Sequence, residues 1–278
     1  MGESARSAAP PSGDGSTLRA DCERCVGLCC VAPALSVSAD FAIDKGAGQP
    51  CPHLRSDFRC SIHDRLHERG FPGCAAYDCF GAGQKVTQVT FAGRDWRRAP
   101  ELASGMFAAF EVMRQLHELL WYLTEALGLP TAGPLRGELR WLLAETERLT
   151  LLGPDELTEL DVAGHGREVV VLLRRASGLV RAGAPRRPDL ASADLAGRNL
   201  AGADLRGADL SRALLIGADL RRADLTAADL MHADLRAADL RGADLGTSIF
   251  LTQPQVGSAR GDAATRLPAR LARPPRWS

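Results

Sequence analysis

Cysteine is absent from most of this chain of 278 residues. All eight cysteines lie between Cys22 and Cys79. Lysine is also scarce, since only Lys45 and Lys85 are lysine among the 34 basic residues. Aromatic side chains make up only 5% of the chain, which is too few for a surface that stacks on single-stranded nucleic acid. Nucleic acid is therefore not an expected partner.

Net charge and long apolar runs are lacking as well. The 34 basic residues balance 34 acidic ones, so no overall field attracts nucleic acid or a membrane. Residues 1–20 lack the apolar core of a secretory signal, and no run approaches the ~20 apolar residues of a membrane span. These absences predict a cytoplasmic protein with reduced thiols, in which clustered cysteines favour metal binding over disulfides.

Composition divides the chain into five parts. Residues 1–20 predict a disordered tail, and residues 21–98 a cysteine-rich module that binds a metal or cluster. Residues 99–182 show helical periodicity, and residues 188–250 form a strict repeat. Residues 251–278 are rich in Arg and Pro and are expected to finish the repeat and then trail off.

The helical part is expected to contain three helices. Apolar residues recur at three- and four-residue steps over 102–127, which predicts one long helix with a single buried face. A second helix is expected over about 134–152. Pro154 suits the first turn of a third helix, which Gly164 and Gly166 are expected to break.

Leucine recurs at every fifth position from Leu190 to Leu245, and Phe250 takes the next position. A step of five would spread the leucines around an α-helix and alternate them between the faces of a strand. The pattern is consistent with a chain that turns a corner every five residues, so that four corners close one coil. The predicted core residues are Leu195, Leu200, Leu205, Leu210, Leu215, Leu220, Leu225, Leu230, Leu235, Leu240, Leu245 and Phe250.

Segments such as Ala-Asp-Leu-Arg-Gly at 203–207 resemble the pentapeptide-repeat family, whose motif is Ala-Asp/Asn-Leu-X-X. The resemblance implies a right-handed quadrilateral β-helix, a solenoid about 15 Å long at strand-like spacing. The expected fold class is therefore a mixed multidomain protein with a small metal-stabilised cysteine-rich module, an α-helical connector and this β-helix. Open ends of such a rod would permit a homodimer.

The charge of the repeat bears on its function. The best-known members of this family protect or inhibit DNA gyrase by imitating duplex DNA. Residues 188–250 carry ten Asp against seven Arg, an excess of only three negative charges. A DNA segment of the same length would present roughly nine charges. The charge therefore disfavours mimicry and favours a rigid surface for a protein partner.

The eight cysteines are the candidate metal ligands: Cys22, Cys25, Cys29, Cys30, Cys51, Cys60, Cys74 and Cys79. Closely spaced cysteines let one turn offer two thiolates, and distant ones complete the shell of zinc or of a cluster iron. The thiols could serve two four-cysteine sites, or one site with spare thiols. Three histidines lie among them as further candidates: His53, His63 and His67.

This segment resembles a bacterial family of zinc- or iron-chelating cysteine-cluster proteins. The resemblance covers residues 22–79 and includes the order of the eight cysteines and the sequence Cys-Pro-His-Leu at 51–54. It implies a bound metal, and it leaves zinc and an iron–sulfur cluster both open. Residues 69–73 depart from the Arg-Pro pair that many members carry.

The leading hypothesis is a non-enzymatic, metal-binding scaffold or regulatory protein that presents the repeat as a binding surface. The repeat contains no acid–base or nucleophile constellation, so no catalytic residue is predicted. Two alternatives stay open. One is an iron–sulfur redox protein or enzyme accessory, and the other is a topoisomerase-directed resistance factor. Structural disulfides and a thiol redox switch are the other interpretations of the cysteines.

Overall fold

The computed structural model describes residues 18–185 and 188–277, so most of the tail predicted at 1–20 lies outside the described residues. The α-helices of the described residues are α1 (Leu28–Val31), α2 (Pro72–Ala75), α3 (Ala82–Lys85), α4 (Ala103–Gly128), α5 (Arg136–Leu149), α6 (Pro154–Glu159), α7 (Val162–Arg181) and α8 (Gln253–Ser258). A π-helical turn, Val86–Thr90, follows α3. Short 3-10 turns span Cys22–Arg24, His63–Arg65, Pro100–Leu102 and Pro130–Leu135. None of the helices described is long and apolar enough to cross a membrane.

Helix α4 is the longest element, with 26 residues, and it confirms the long helix predicted over 102–127. Its first half buries Met106 and Phe110 in a core that also contains Leu28 from the cysteine-rich segment. Its second half buries Leu123 in a different core, which is shared with α5, α7 and Phe250 of the repeat. One helix therefore contacts both the cysteine-rich segment and the repeat.

The predicted break at Gly164 and Gly166 is wrong. The helix is interrupted earlier, at Leu160, and α7 then continues through both glycines to Arg181. The side chain of Asp161 caps this helix, because its carboxylate accepts a hydrogen bond of 2.8 Å from the N–H of Gly164. A strong cap at the start of α7 offsets the low helix propensity of the two glycines.

The predicted right-handed quadrilateral β-helix is also wrong. Within the part of the chain that the structure describes, residues 188–250 form no β-strand and no sheet. These residues, called the repeat stack below, instead form single parallel bridges between positions 20 residues apart, such as Asp189 with Asp209 and Asp204 with Asp224. Corners follow one another every five residues, so each pairing ends after one bridge and no strand develops. The fold class is therefore corrected to helices joined to a stack of turns.

Each corner of the repeat stack is a tight turn. The N–H of Ala213, for example, donates to the carbonyl oxygen of Leu210 at 3.0 Å, and Arg212 between them has a φ of 59°. A positive φ at the third residue is typical of a type II turn, which favours glycine there. In most repeats an aspartate precedes the leucine and accepts from the N–H two residues on, as Asp209 does from Ser211 at 3.1 Å. The sequence motif therefore encodes a chain of corners.

The inward side chains of the repeat stack form one core. The leucines at five-residue intervals from Leu205 to Leu245, together with Phe250, are at most 5% exposed. Leu195 and Leu200 lie only partly buried against that core. They belong to the first coil, which packs against another coil on one side only.

Residues 251–277 do not trail off. Single parallel bridges join Asp239 to Arg260 and Asp244 to Arg266, so the tail continues the stack after the repeat motif has ended. Val256 and Trp277 are then buried in the same core as the repeat leucines. The tail thus covers the last coil, whose leucines and backbone groups would otherwise face water.

An ion pair joins α4 to this tail. Glu125 accepts a hydrogen bond from the N–H of Phe250 at 2.6 Å, and the guanidinium of Arg270 lies 2.6 Å from the same oxygen. The side chain of Glu125 is only 5% exposed. Burial raises the pKa of Glu125 from its ordinary value of 4.5 to about 7, although Arg270 opposes this rise. The pair therefore connects the long helix, the last repeat and the tail.

We expect Arg270→Met to destabilise the protein by about 2–3 kcal/mol at pH 8, because it leaves the Glu125 carboxylate buried without its counter-ion. The folded state holds the Glu125 proton more tightly than the unfolded state. The contribution of Glu125 to the free energy of unfolding therefore falls as pH rises from 4.5 through about 7. The variant should consequently lose less stability at about pH 5, where Glu125 is protonated. Urea unfolding at both pH values measures this.

Arg266→Met is the matched control, because Arg266 pairs with Asp244 on the surface and is 75% exposed. Its effect should stay within about 0.5 kcal/mol at both pH values. A loss in the Arg270 variant that is equal to the control, or independent of pH, would contradict a buried ion pair.

Candidate metal site

The cysteines lie in a segment with little regular structure. Only short helices and two isolated antiparallel bridges, Leu35 with Lys45 and Leu54 with Cys60, organise its described residues before α3. Helix α1 carries Cys29 and Cys30 at consecutive positions, and α2 carries Cys74. The segment is anchored by Leu28 and Val31, which are fully buried against the first half of α4.

Cys25 lies against the start of α3. A Cβ atom on Gly83 would stand only 2.6 Å from the sulfur of Cys25, so the close approach requires glycine at this position. Cys79 lies just before α3, and its carbonyl oxygen accepts a hydrogen bond of 2.8 Å from the N–H of Ala82. Gly83 therefore leaves room for the thiol of Cys25 next to the segment that carries Cys79.

Cys30 on α1 lies close to Cys51 and Cys60. The N–H of Cys51 donates to the carbonyl oxygen of Cys30 at 2.9 Å. The side chains of Cys30 and Cys60 lie near enough to affect each other's ionisation. Cys51 and Cys60 also lie close enough to affect the ionisation of Cys74. Cys30 and Cys51, which are 21 positions apart in the sequence, are thus neighbours in the fold.

The surroundings of the thiols favour their protonated form. Burial raises the pKa of Cys74 to about 11, and it raises the pKa of Cys79 to about 11. Interaction with the Cys29 side chain raises the pKa of Cys30, and interaction with the Cys30 side chain raises the pKa of Cys60. A nucleophilic or redox-sensing cysteine needs a lowered pKa, so these surroundings do not suit such a role. Metal ions can still displace the protons, as they do at other thiolate sites.

Lys45 is a buried cation beside these thiols, and its role is not evident from the sequence pattern. Its side chain is 6% exposed, and its ammonium group donates to the carbonyl oxygens of Val31 at 3.1 Å and Gln49 at 2.9 Å. It also donates to the carbonyls of Pro33 and Gly46. Burial lowers the pKa of Lys45, and nearby Cys51, Cys30 and Cys74 oppose this. The ammonium group ties two loops together next to three thiols.

The donor set fits a metal that prefers sulfur. All eight cysteines are free of disulfides, and thiolates are the ligands of structural zinc and of iron–sulfur clusters. Within residues 18–185 and 188–277, however, no three Cys, His, Asp or Glu side chains lie close enough together to hold one ion. Two of the candidate histidines have other contacts: His53 packs on Phe71 with ring centroids 5.3 Å apart, and His67 lies 2.9 Å from Arg276.

Comparison with known proteins places the repeat and the whole chain. Residues 189–226 and 208–250 match the family described as Pentapeptide repeats, in 8 copies. The uncharacterized protein YybG of Bacillus subtilis (strain 168) is 58% identical over 264 residues, which is 94% of this chain and 95% of YybG. Residues 189–250 are therefore pentapeptide repeats, and the chain belongs, along nearly its whole length, to the same family as YybG.

Among solved structures, a pentapeptide repeat protein from the thylakoid lumen of Arabidopsis thaliana is similar to part of the chain. It shares 30% sequence identity, and the similarity covers 33% of this chain and 66% of that protein. The TM-score is 0.16.

We expect Lys45→Met to destabilise the cysteine-rich segment by about 2–3 kcal/mol, since buried carbonyl oxygens would lose their shared donor. Urea unfolding of the full chain measures the loss of stability, and the protease sensitivity of the cysteine-rich segment locates it. Lys85→Met is the matched control, because Lys85 is the only other lysine of the chain. Its effect should not exceed about 1 kcal/mol. Equal losses in the two variants would contradict the role of Lys45.

Proposed function

We propose that this protein is a metal-dependent binding scaffold. The cysteine-rich segment would bind zinc or an iron–sulfur cluster, and the repeat stack would present a rigid surface to a protein partner. The observation that carries the metal-binding half is the set of eight disulfide-free cysteines in one segment, in which the N–H of Cys51 donates to the carbonyl oxygen of Cys30 at 2.9 Å. A segment with an adequate apolar core would not need sulfur donors for its stability.

The metal would act mainly on folding. Outside α1 and its contact with α4, the described part of the cysteine-rich segment has few buried apolar residues, among them Ile62 and Phe71. A bound metal would join its loops, and the free energy of binding would become free energy of folding. The chain's own residues would hold the loops for this purpose: Gly83 makes room for Cys25, and Lys45 binds the carbonyls next to Cys30 and Cys51.

The repeat stack supports the binding half of the proposal. On its walls, arginine side chains are held by the aspartate two residues earlier, as in Arg221 with Asp219 at 2.8 and 2.6 Å. Arg241 is held by Asp239 in the same way, at 2.9 and 2.6 Å. These guanidinium groups are about half exposed, and their orientation is fixed before any partner binds. The pairs also offset the negative charge that imitation of DNA would require.

The metal is tested by anaerobic purification of the full chain followed by elemental analysis. We expect zinc or iron in stoichiometric amount. A brown sample with a broad visible absorption band would identify an iron–sulfur cluster, and a colourless sample with zinc would identify a structural zinc site. A sample without either metal would refute the proposal.

We expect Cys60→Ser to expose the cysteine-rich segment to protease while the repeat stack stays protected, because only the segment depends on metal. Limited proteolysis with mass spectrometry locates the cleavage sites. Ser61→Ala is the matched control, because it changes the neighbouring side chain without removing a thiol. The same cleavage pattern in both variants, or cleavage of the repeat stack as well, would count against a metal-dependent segment.

A further inference from the structure

We propose that the first coil of the repeat stack binds a second copy of this chain, so that two stacks meet end to end around a two-fold axis. The first coil comprises residues 188–207, and the side of it that no other coil covers is called the open end below. This inference goes beyond the proposed function. It does not depend on metal binding, because it rests on the repeat stack alone.

The two ends of the repeat stack differ in what covers them. At the far end the tail closes the stack, and Trp277 is buried in the same core as the repeat leucines. At the open end Leu195 and Leu200 are only partly buried, whereas Leu215 and Leu220, one coil further on, are fully buried. The open end therefore leaves apolar surface of the core in contact with water.

The backbone of the first coil is paired on one side only. In the second coil, Leu214 donates its N–H to the carbonyl oxygen of Ala193 and accepts from the N–H of Leu195, both at 2.9 Å. Asp194 and Asn199 hold the equivalent positions in the first coil. Their backbone N–H and carbonyl groups have no hydrogen-bond partner among the residues that the structure describes. An unpaired backbone edge of this kind is a template for pairing with another chain.

A second copy is the occupant that matches this edge. An extended segment of another protein could pair with one wall, whereas a second open end presents the same walls at the same spacing. The two-fold axis would pass through the corner that the N–H of Arg198 closes on the carbonyl oxygen of Leu195 at 3.1 Å. It places the wall of Asp194 against the wall of Asn199 in the other copy. The chains then run antiparallel, so each of these residues can exchange both backbone hydrogen bonds with its counterpart.

Arg198 supplies a charge at the open end. It occupies an inward position of the repeat, since the equivalent residue one coil further on is Ala218, which is fully buried. A charged guanidinium is too costly to bury unpaired in a narrow apolar core, and Arg198 is exposed. Its side chain therefore extends over the open end. Within residues 18–185 and 188–277 it forms no ion pair.

Asp194 supplies the complementary charge. In later coils an arginine two residues on pairs with the aspartate, as Arg221 does with Asp219 at 2.6 Å. Asp194 has Ala196 at that position and accepts only its N–H, at 3.1 Å. The two-fold axis brings Arg198 of each copy to the wall that carries Asp194 in the other copy. Two identical ion pairs would therefore form at the rim of the contact.

The covered far end limits the assembly to two copies. A contact between identical ends is closed by the two-fold axis, and the tail leaves no second open end from which a fibre could grow. The end of one coil is a small interface, so we expect a reversible dimer at micromolar concentrations.

Sedimentation equilibrium of the full chain over a dilution series tests this contact. We expect the wild type to follow a monomer–dimer equilibrium. Arg198→Glu and Asp194→Arg should each raise the dimer Kd at least about tenfold, because each places like charges against one another. Arg212→Glu is the matched control, since it makes the same change at an exposed corner of the second coil, away from the open end. It should leave the Kd unchanged.

An equimolar mixture of the two open-end variants completes the test. The Arg198→Glu chain carries only carboxylates at the two positions, and the Asp194→Arg chain carries only guanidinium groups. A mixed dimer regains both ion pairs, so we expect the mixture to associate with about the wild-type Kd. The proposal would be overturned by a wild type that stays monomeric or forms larger assemblies, by an equal effect of Arg212→Glu, or by a mixture that does not associate. Unchanged dimers in the Arg198→Glu variant would also overturn it.

Discussion

The structure depends above all on the burial of one long helix on several sides. Helix α4 packs its first half against the cysteine-rich segment and its second half against α5, α7 and the end of the repeat stack. Because one rigid helix is buried in both cores, it fixes the position of one core relative to the other. Metal binding near α1 and partner binding on the repeat stack would therefore take place on parts of the protein whose relative position α4 holds.

The repeat stack obtains its rigidity from local geometry and not from a sheet. Most motifs supply an aspartate that caps a corner, a leucine that points inward and a residue in the left-handed region that closes the turn. Neighbouring coils then pair through one bridge per wall, supported by backbone hydrogen bonds such as that from the N–H of Leu210 to the carbonyl oxygen of Asp229 at 2.9 Å. The resulting surface holds its arginines in fixed orientations, which suits recognition with little loss of conformational entropy.

The cysteine-rich segment follows a different principle. Few apolar side chains hold it together, and a buried lysine and a glycine position its thiols. Such a segment gains most from a bound metal, whereas the leucines of the repeat stack need none. The two halves of the proposed function therefore rest on two different sources of stability, joined by the ion pair of Glu125 with Arg270 and by the buried face of α4.

Patterns within a few residues of each other were enough to predict the long helix over 102–127 and the inward leucines at five-residue steps, because helix faces and turns are local properties. The resemblance to the pentapeptide-repeat family led to a wrong β-helix, since pairing between coils depends on how soon the next corner follows. The left-handed corner position was readable in principle, because glycine recurs there at Gly197, Gly202 and Gly217.

Other features were decided only by tertiary structure, because they join residues far apart in the chain. Burial of the tail under Trp277, the pairing of Glu125 with Arg270, and the approach of Cys25 to Gly83 are of this kind. The sequence by itself determined that the thiols are confined to one segment. Which thiols become neighbours was decided by the fold, as the backbone hydrogen bond of 2.9 Å between Cys51 and Cys30 illustrates, because residues far apart in the chain meet only once it has folded.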